Sequence, residues 1–128
     1  MRLTINNVIF GNRGNQKNVT IGYVAGDNNQ GDYSIAIGSN VAQSDQGTNS
    51  VGIGYAAAQY NQGDNSVAIG KFAGQYNQAA NSVAIGADSS VSGVNSTAIG
   101  FEASVNTDNT IQLGNASVTD IKTSGAIT

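Results

Sequence analysis

The sequence predicts an all-β fold of stacked two-sided rungs, and three observations carry that prediction. One six-residue phrase recurs six times, as YSIAIG (33–38), NSVGIG (49–54), NSVAIG (65–70 and 81–86), NSTAIG (95–100) and NTIQLG (109–114). The glycines that close it keep a fixed pitch: sixteen residues from Gly38 through Gly54 and Gly70 to Gly86, then fourteen to Gly100 and Gly114. Sixteen residues upstream of Gly38, Gly22 ends the related NVTIG. Within a phrase, apolar residues alternate with small ones: Val67 and Ile69 share one parity, Ser66 and Ala68 the other. That is the period of a short β-strand, and no helical 3.6 period competes. Self-similarity at a fixed pitch is the mark of stacked repeats.

Composition narrows the function. The 128 residues permit one domain. Only 10% are charged and the net charge is −3, so an electrostatic grip on nucleic acid or an anionic membrane has no basis. With no Cys, the chain neither needs an oxidising compartment nor risks a thiol in a reducing one. The apolar run in MRLTINNVIFGN is too short for a signal-peptide core or a membrane span. Disordered chains usually carry high charge, whereas here the apolar residues are few but periodic, which predicts order.

Each rung is then justified in turn. The phrase is the first strand, and Gly22, Gly38, Gly54, Gly70, Gly86, Gly100 and Gly114, with the Gly/Asn cluster before each phrase, supply the turns. Three places after each glycine a mostly small residue recurs (Ala25, Val41, Ala57, Ala73, Ser89, Ala103, Ser117), which predicts a second, more weakly patterned strand there. A rung of 14 to 16 residues is too short for the strand-plus-helix units of most longer repeats. Seven rungs at roughly 4.8 Å each make a rod on the order of 30 Å long. Such a roll has a thin core, while ordering each residue costs about 1–2 kcal/mol, so a lone chain should be marginal. The column Ala36, Gly52, Ala68, Ala84 and Ala98 is uniformly small, which suits close approach of a neighbouring chain and is expected to form an oligomer seam; Gln112 breaks it.

The phrase NSVAIG followed by a small residue at the third position, at this pitch, resembles the YadA-type head repeat of trimeric autotransporter adhesins and of related phage and giant-virus tail or capsid fibre proteins, over residues 18 to 114. That resemblance implies a left-handed parallel β-roll with three chains around one axis. It further implies that Ile35, Ile37, Val51, Ile53, Val67, Ile69, Val83, Ile85, Ile99, Ile111 and Leu113 fill the roll interior, while Ala68 and its equivalents approach the trimer axis. Residues 109 to 128 look like the segment that ends the β-roll in many viral fibre proteins. A complete autotransporter adhesin would need a coiled-coil stalk and a membrane-anchor barrel after such a head, so the expectation is either a fragment of a longer protein or a virion or fibre component.

Three segments make up the chain: 1–17 an N-terminal cap or degenerate rung with short strands in LTI (3–5) and NVIFG (7–11), 18–114 the roll, and 115–128 an extended segment leaving it. A cap is expected because exposed strand edges invite aggregation.

Chemistry-bearing residues are sparse. With no His or Cys and 8 scattered acids, neither a catalytic constellation nor a cofactor site is expected. Metal binding is not expected either: the calcium repeat GGxGxD is absent, and Asp32 and Asp64 sit in turns where a short carboxylate caps backbone N–H groups. The sixteen-residue rungs carry two extra residues within DNNQ, SDQ, QYNQ and QYNQ, giving a protruding edge. There Asn29, Asp45, Asn61 and Asn77 form one column and Gln30, Gln46, Gln62 and Gln78 the next, placed for amide ladders. The candidate receptor ridge is Gln59, Tyr60, Asn61, Gln62, Gln75, Tyr76, Asn77 and Gln78, since rings beside amides suit glycans and adaptable protein contacts; a self-satisfying turn ladder is the plainer account. Tyr23, Tyr55, Phe72 and Phe101, just after rung glycines, suit rim packing or contact with another subunit. Ice binding lacks its Thr array, and a hexapeptide acyltransferase its triangular coil and base. The leading expectation is a non-enzymatic homotrimeric fibre or adhesin-head segment on a virion or cell surface that offers a lateral face to a glycan or protein receptor. The alternative is a structural spacer or self-assembling filament subunit with no ligand.

Overall fold

The computed structural model describes residues 8–10 and 17–125, so the proposed cap at 1–17 and the LTI strand lie largely outside the described residues. What is described is an all-strand parallel solenoid of about six turns, with no helix among the described residues.

The recurring phrase supplies one wall. β2 (Val19–Ile21), β4 (Ile35–Ile37), β6 (Val51–Ile53), β8 (Val67–Ile69), β9 (Val83–Ile85), β11 (Thr97–Ile99) and β13 (Ile111–Leu113) stack in parallel. Register follows the pitch: Val67 lies beside Val83, sixteen residues on, and Thr97 beside Ile111, fourteen on. β1 (Val8–Phe10) pairs antiparallel with β2 along the first edge, whereas the rungs that follow stack in parallel.

The opposite wall is formed by β3 (Asn28–Gln30), β5 (Ser44–Gln46) and β7 (Tyr60–Gln62) in one parallel sheet, and by β10 (Ser90–Val91) with β12 (Ser104–Val105) in another. These strands correct the expected position of the second strand. In the sixteen-residue rungs the small column Ala25, Val41, Ala57 and Ala73 lies in the turn, and the strand begins three residues later, within the segments expected to protrude.

Burial inverts the expected parity of the phrase. Ala36, Ala68, Ala84 and Ala98 are 0% exposed and form the interior with the inner small column, whereas Ile35, Ile37, Val51, Ile53, Val67, Ile69, Val83 and Ile85 face outward, half-exposed. Ile99, Ile111 and Leu113 are more exposed still, at 42%, 72% and 41%. The residues expected to fill the core therefore form an outer face, and the expected seam of Ala36, Gly52, Ala68, Ala84 and Ala98 is the core. The cause is spacing: the walls approach so closely that methyl groups fill the gap, and a Cβ on Gly52 would already lie 2.9 Å from Val41 Cγ2. Close-packed interiors leave no room for larger groups there.

Besides further apolar side chains (Ala42, Ala56, Ala58, Val91 and Val105), the interior carries polar side chains that are fully paired. Ser34, Ser50, Ser66, Ser82 and Ser96, each at most 1% exposed, stand second in their phrases, and Ser50 Oγ donates to Gly63 O at 2.8 Å while accepting from Ser66 N at 3.3 Å. No buried side-chain polar atom among the described residues lacks a partner, as buried polar groups require.

The turns need left-handed backbone. Gly38 has φ +134°, and a Cβ there would meet Gly54 O of the next rung at 2.4 Å, so glycine is required by both conformation and stacking. Among the described residues, eleven of the eighteen non-glycine residues with positive φ are Asn or Asp, including Asn49, Asn65, Asn81 and Asn95 ahead of the phrase serines and Asn109 ahead of Thr110. These side chains tolerate that region best, so much of the asparagine content serves the corners.

Candidate functional site

Two lateral surfaces result. On the phrase wall, two columns of branched apolar residues run the length of the rod: Val19, Ile35, Val51, Val67 and Val83 in one, Ile21, Ile37, Ile53, Ile69 and Ile85 in the other, all half-exposed and continued by Thr97/Ile111 and Ile99/Leu113. Such a long apolar face is beyond the scattered hydrophobic residues a soluble surface normally carries. Tyr23, Tyr55 and Phe101, exposed by 75%, 49% and 57%, follow the rung glycines. Tyr55 packs edge-to-face on Phe72, ring centres 5.4 Å apart, and Lys71 Nζ lies 4.9 Å from the Phe72 ring centre.

On the second wall the expected ridge divides in two. Gln62 and Gln78 are only 3% and 2% exposed and point inward, where they cannot meet a receptor. Gln30, Gln46, Gln62 and Gln78 form a buried amide ladder whose Nε2 groups donate to the next Oε1 at 3.0, 3.1 and 3.3 Å. Gln46, Gln62 and Gln78 also donate across the roll to the carbonyls of Ile35, Val51 and Val67, at 2.9, 2.9 and 2.8 Å. In the fourteen-residue rungs the place of this ladder goes to Val91: Ala79 N donates to Val91 O as Gly63 N does to Gln78 O.

The outward part consists of Gln59, Tyr60, Asn61, Gln75, Tyr76 and Asn77. Tyr60 and Tyr76 are stacked, ring centres 5.5 Å apart with planes 15° from parallel. Asn61 Nδ2 donates to Asn77 Oδ1 at 3.0 Å, Gln75 Nε2 to Gln59 Oε1 at 2.9 Å, and Gln59 Nε2 to Gln43 Oε1 at 3.0 Å. Tyr60 Oη donates to the same Gln43 Oε1 at 3.4 Å. The surface therefore pairs stacked rings with amides already aligned along the rod, a preorganised array with little side-chain freedom left to lose on binding.

Two turn carboxylates cap backbone: Asp64 Oδ1 accepts from Thr48 N at 2.8 Å, and Asp108 Oδ1 from Val94 N at 2.8 Å. Among the described residues no three acidic side chains converge as a metal site would need, and no helix is long and apolar enough to cross a membrane.

The family model described as YadA head domain repeat (2 copies) matches residues 30–40, 62–73, 78–103 and 92–117. The same rung geometry continues through the intervening residues 41–61, where β5 and β6 keep the register of their neighbours. No curated protein and no solved structure matches the chain. The matched rungs are those of the YadA head domain repeat, a structural adhesin domain and not an enzyme family.

Proposed function

We propose that this chain is a segment of a trimeric surface adhesin or fibre, assembled through the outer face of the phrase wall and attaching to its target through the opposite wall. The observation that carries the assembly is the double column of half-exposed Val and Ile along that face. Removing a Val or Ile side chain from water contributes about 1.5–3 kcal/mol, and the interior of this roll, built from Ala, Ser and Gln, holds too few such groups for a lone chain to be robust. Association of like faces supplies the missing apolar burial, and YadA head domains form trimers.

Surface exposure is general to YadA-type adhesins; a virion or a cell surface would be the setting. Attachment through Tyr60, Tyr76 and the outward amides is supported by their preorganisation, with Gln62 and Gln78 serving the interior beneath. Light scattering on the eluting peak of a size-exclusion column tests the assembly: three chains per particle are expected, and a stable folded monomer at micromolar concentration overturns it. Attachment to host cells tests the role, with Tyr60→Ala/Tyr76→Ala expected to reduce it. Unchanged attachment removes the ridge, and end-to-end polymers that attach to nothing would favour a purely structural filament.

A further inference from the structure

The pitch changes from sixteen to fourteen residues immediately after Gly86, and a notch lies where the two kinds of rung meet. It has a volume of about 180 Å³ and is lined by Phe72, Gln75 and Tyr76 of the last long rung and by Asp88, Ser89 and Ser90 of the first short one. One face of the Tyr76 ring is covered by Tyr60 from the preceding rung. The notch lies on the other side, toward the shorter rung, which places no third ring on the stack, and Tyr76 is 62% exposed.

We propose that this notch is a binding subsite for one neutral pyranose ring of a glycan, which continues the Tyr60–Tyr76 stack; the proposal rests on the adhesin reading and names the ligand of its ridge. The C–H face of a pyranose is apolar and flat enough to lie on an aromatic ring, while its hydroxyls radiate in the ring plane toward acceptors. Here those acceptors are the exposed Asp88 carboxylate, the Gln75 amide and the Ser90 hydroxyl, which already donates to Ser104 Oγ at 3.0 Å and so keeps its oxygen lone pairs for a sugar O–H. The volume falls below the roughly 300–1,000 Å³ of sites for drug-sized ligands, which limits the occupant to a single ring. Asp88 is the charged residue that lines the notch, and it selects against sugars bearing a carboxylate. Along the described residues the pitch changes once, at this notch.

A glycan array probed with the full chain, followed by nuclear magnetic resonance titration of the retained sugars, tests this. Glycans ending in neutral pyranoses are expected to be retained, and sialylated or uronic-acid termini to bind at least about tenfold more weakly. Tyr76→Ala and Asp88→Asn are each expected to weaken the titrated affinity about tenfold, with Tyr33→Ala as an unaffected exposed-aromatic control. Asparagine tolerates the positive φ at position 88, and Tyr76 is largely exposed, so both variants should melt like the parent. No retained neutral glycan, or binding indifferent to both substitutions, overturns the proposal. Attachment to cells that depends on Tyr76 but is not competed by any neutral sugar also overturns it, and leaves the adhesin reading standing.

Discussion

Gly52 and Val41 are complementary across the roll. Val41, 0% exposed, is the one Val in the inner column where neighbouring rungs carry Ala25, Ala57 and Ala73, and Gly52 is the one Gly in a column where the neighbouring rungs carry Ala36, Ala68, Ala84 and Ala98. A methyl on Gly52 would lie 2.9 Å from Val41 Cγ2. Two methyls gained on one wall are met by one lost on the other.

Gly52→Ala should therefore destabilise the protein by about 1–3 kcal/mol, the usual cost of overfilling a packed interior. Val41→Ala/Gly52→Ala, which restores the Ala–Ala pairing of the next rungs, should recover much of that loss. Denaturant unfolding of both single variants and the double variant gives the coupling energy, and additivity of the two effects would show that the pair is not complementary.

The two amide ladders differ in burial and should differ in worth. Gln62→Leu leaves Gln78 Oε1 without its ladder donor and Val51 O without its cross-roll donor, which should cost about 2–4 kcal/mol in denaturant unfolding. Asn61→Ala removes an exposed rung of the outer ladder and should cost under about 1 kcal/mol beyond its effect on the left-handed backbone at φ 57°. Equal costs would mean that the inner ladder is not a structural element.

Position within the phrase should separate assembly from folding. Ile69→Asp puts a charge on the outer apolar face and should yield smaller particles by light scattering with strand content retained in circular dichroism. Ala68→Asp puts it into a fully buried site and should abolish folding, because a buried unpaired charge costs several kcal/mol. The opposite outcome at the two positions would restore the parity expected from sequence.

Gly54→Ala confronts both φ +130° and a contact of 2.6 Å to Gly70 O, a backbone atom that cannot rotate away. A loss above about 3 kcal/mol, or failure to fold, is expected. Gly125→Ala, with nothing within 4 Å of its added methyl, should leave the melting temperature unchanged.

The ridge was only partly legible in the sequence. Alternation within YNQ assigns Tyr60 and Gln62 to the same side, yet Gln62 is buried and Tyr60 stacks outward against Tyr76. The left-handed residue between them, Asn61 at φ 57°, breaks the strict alternation of an ideal strand, so counting parity fails across it. The serine second in five of the phrases was visible as a column, but its role as an interior hydrogen-bond ladder follows only from the approach of the next turn's backbone. The notch beside Tyr76 required the three-dimensional path of a rung two residues shorter than its neighbours.

By itself the sequence determined the repeat, its pitch, the parallel in-register stacking and the glycine corners, because each depends on local backbone demands repeated at a fixed interval. It also determined that one face of each phrase is larger and the other smaller. Which of those faces lies inside was decided only by tertiary structure. Hydrophobicity alone favours burying Val and Ile, but behind the phrase strands the gap between two walls joined by such short turns is filled by methyl groups, hydroxyls and flat amides, with Val at only a few places on the opposite side. The larger residues are left outside, where another chain can cover them.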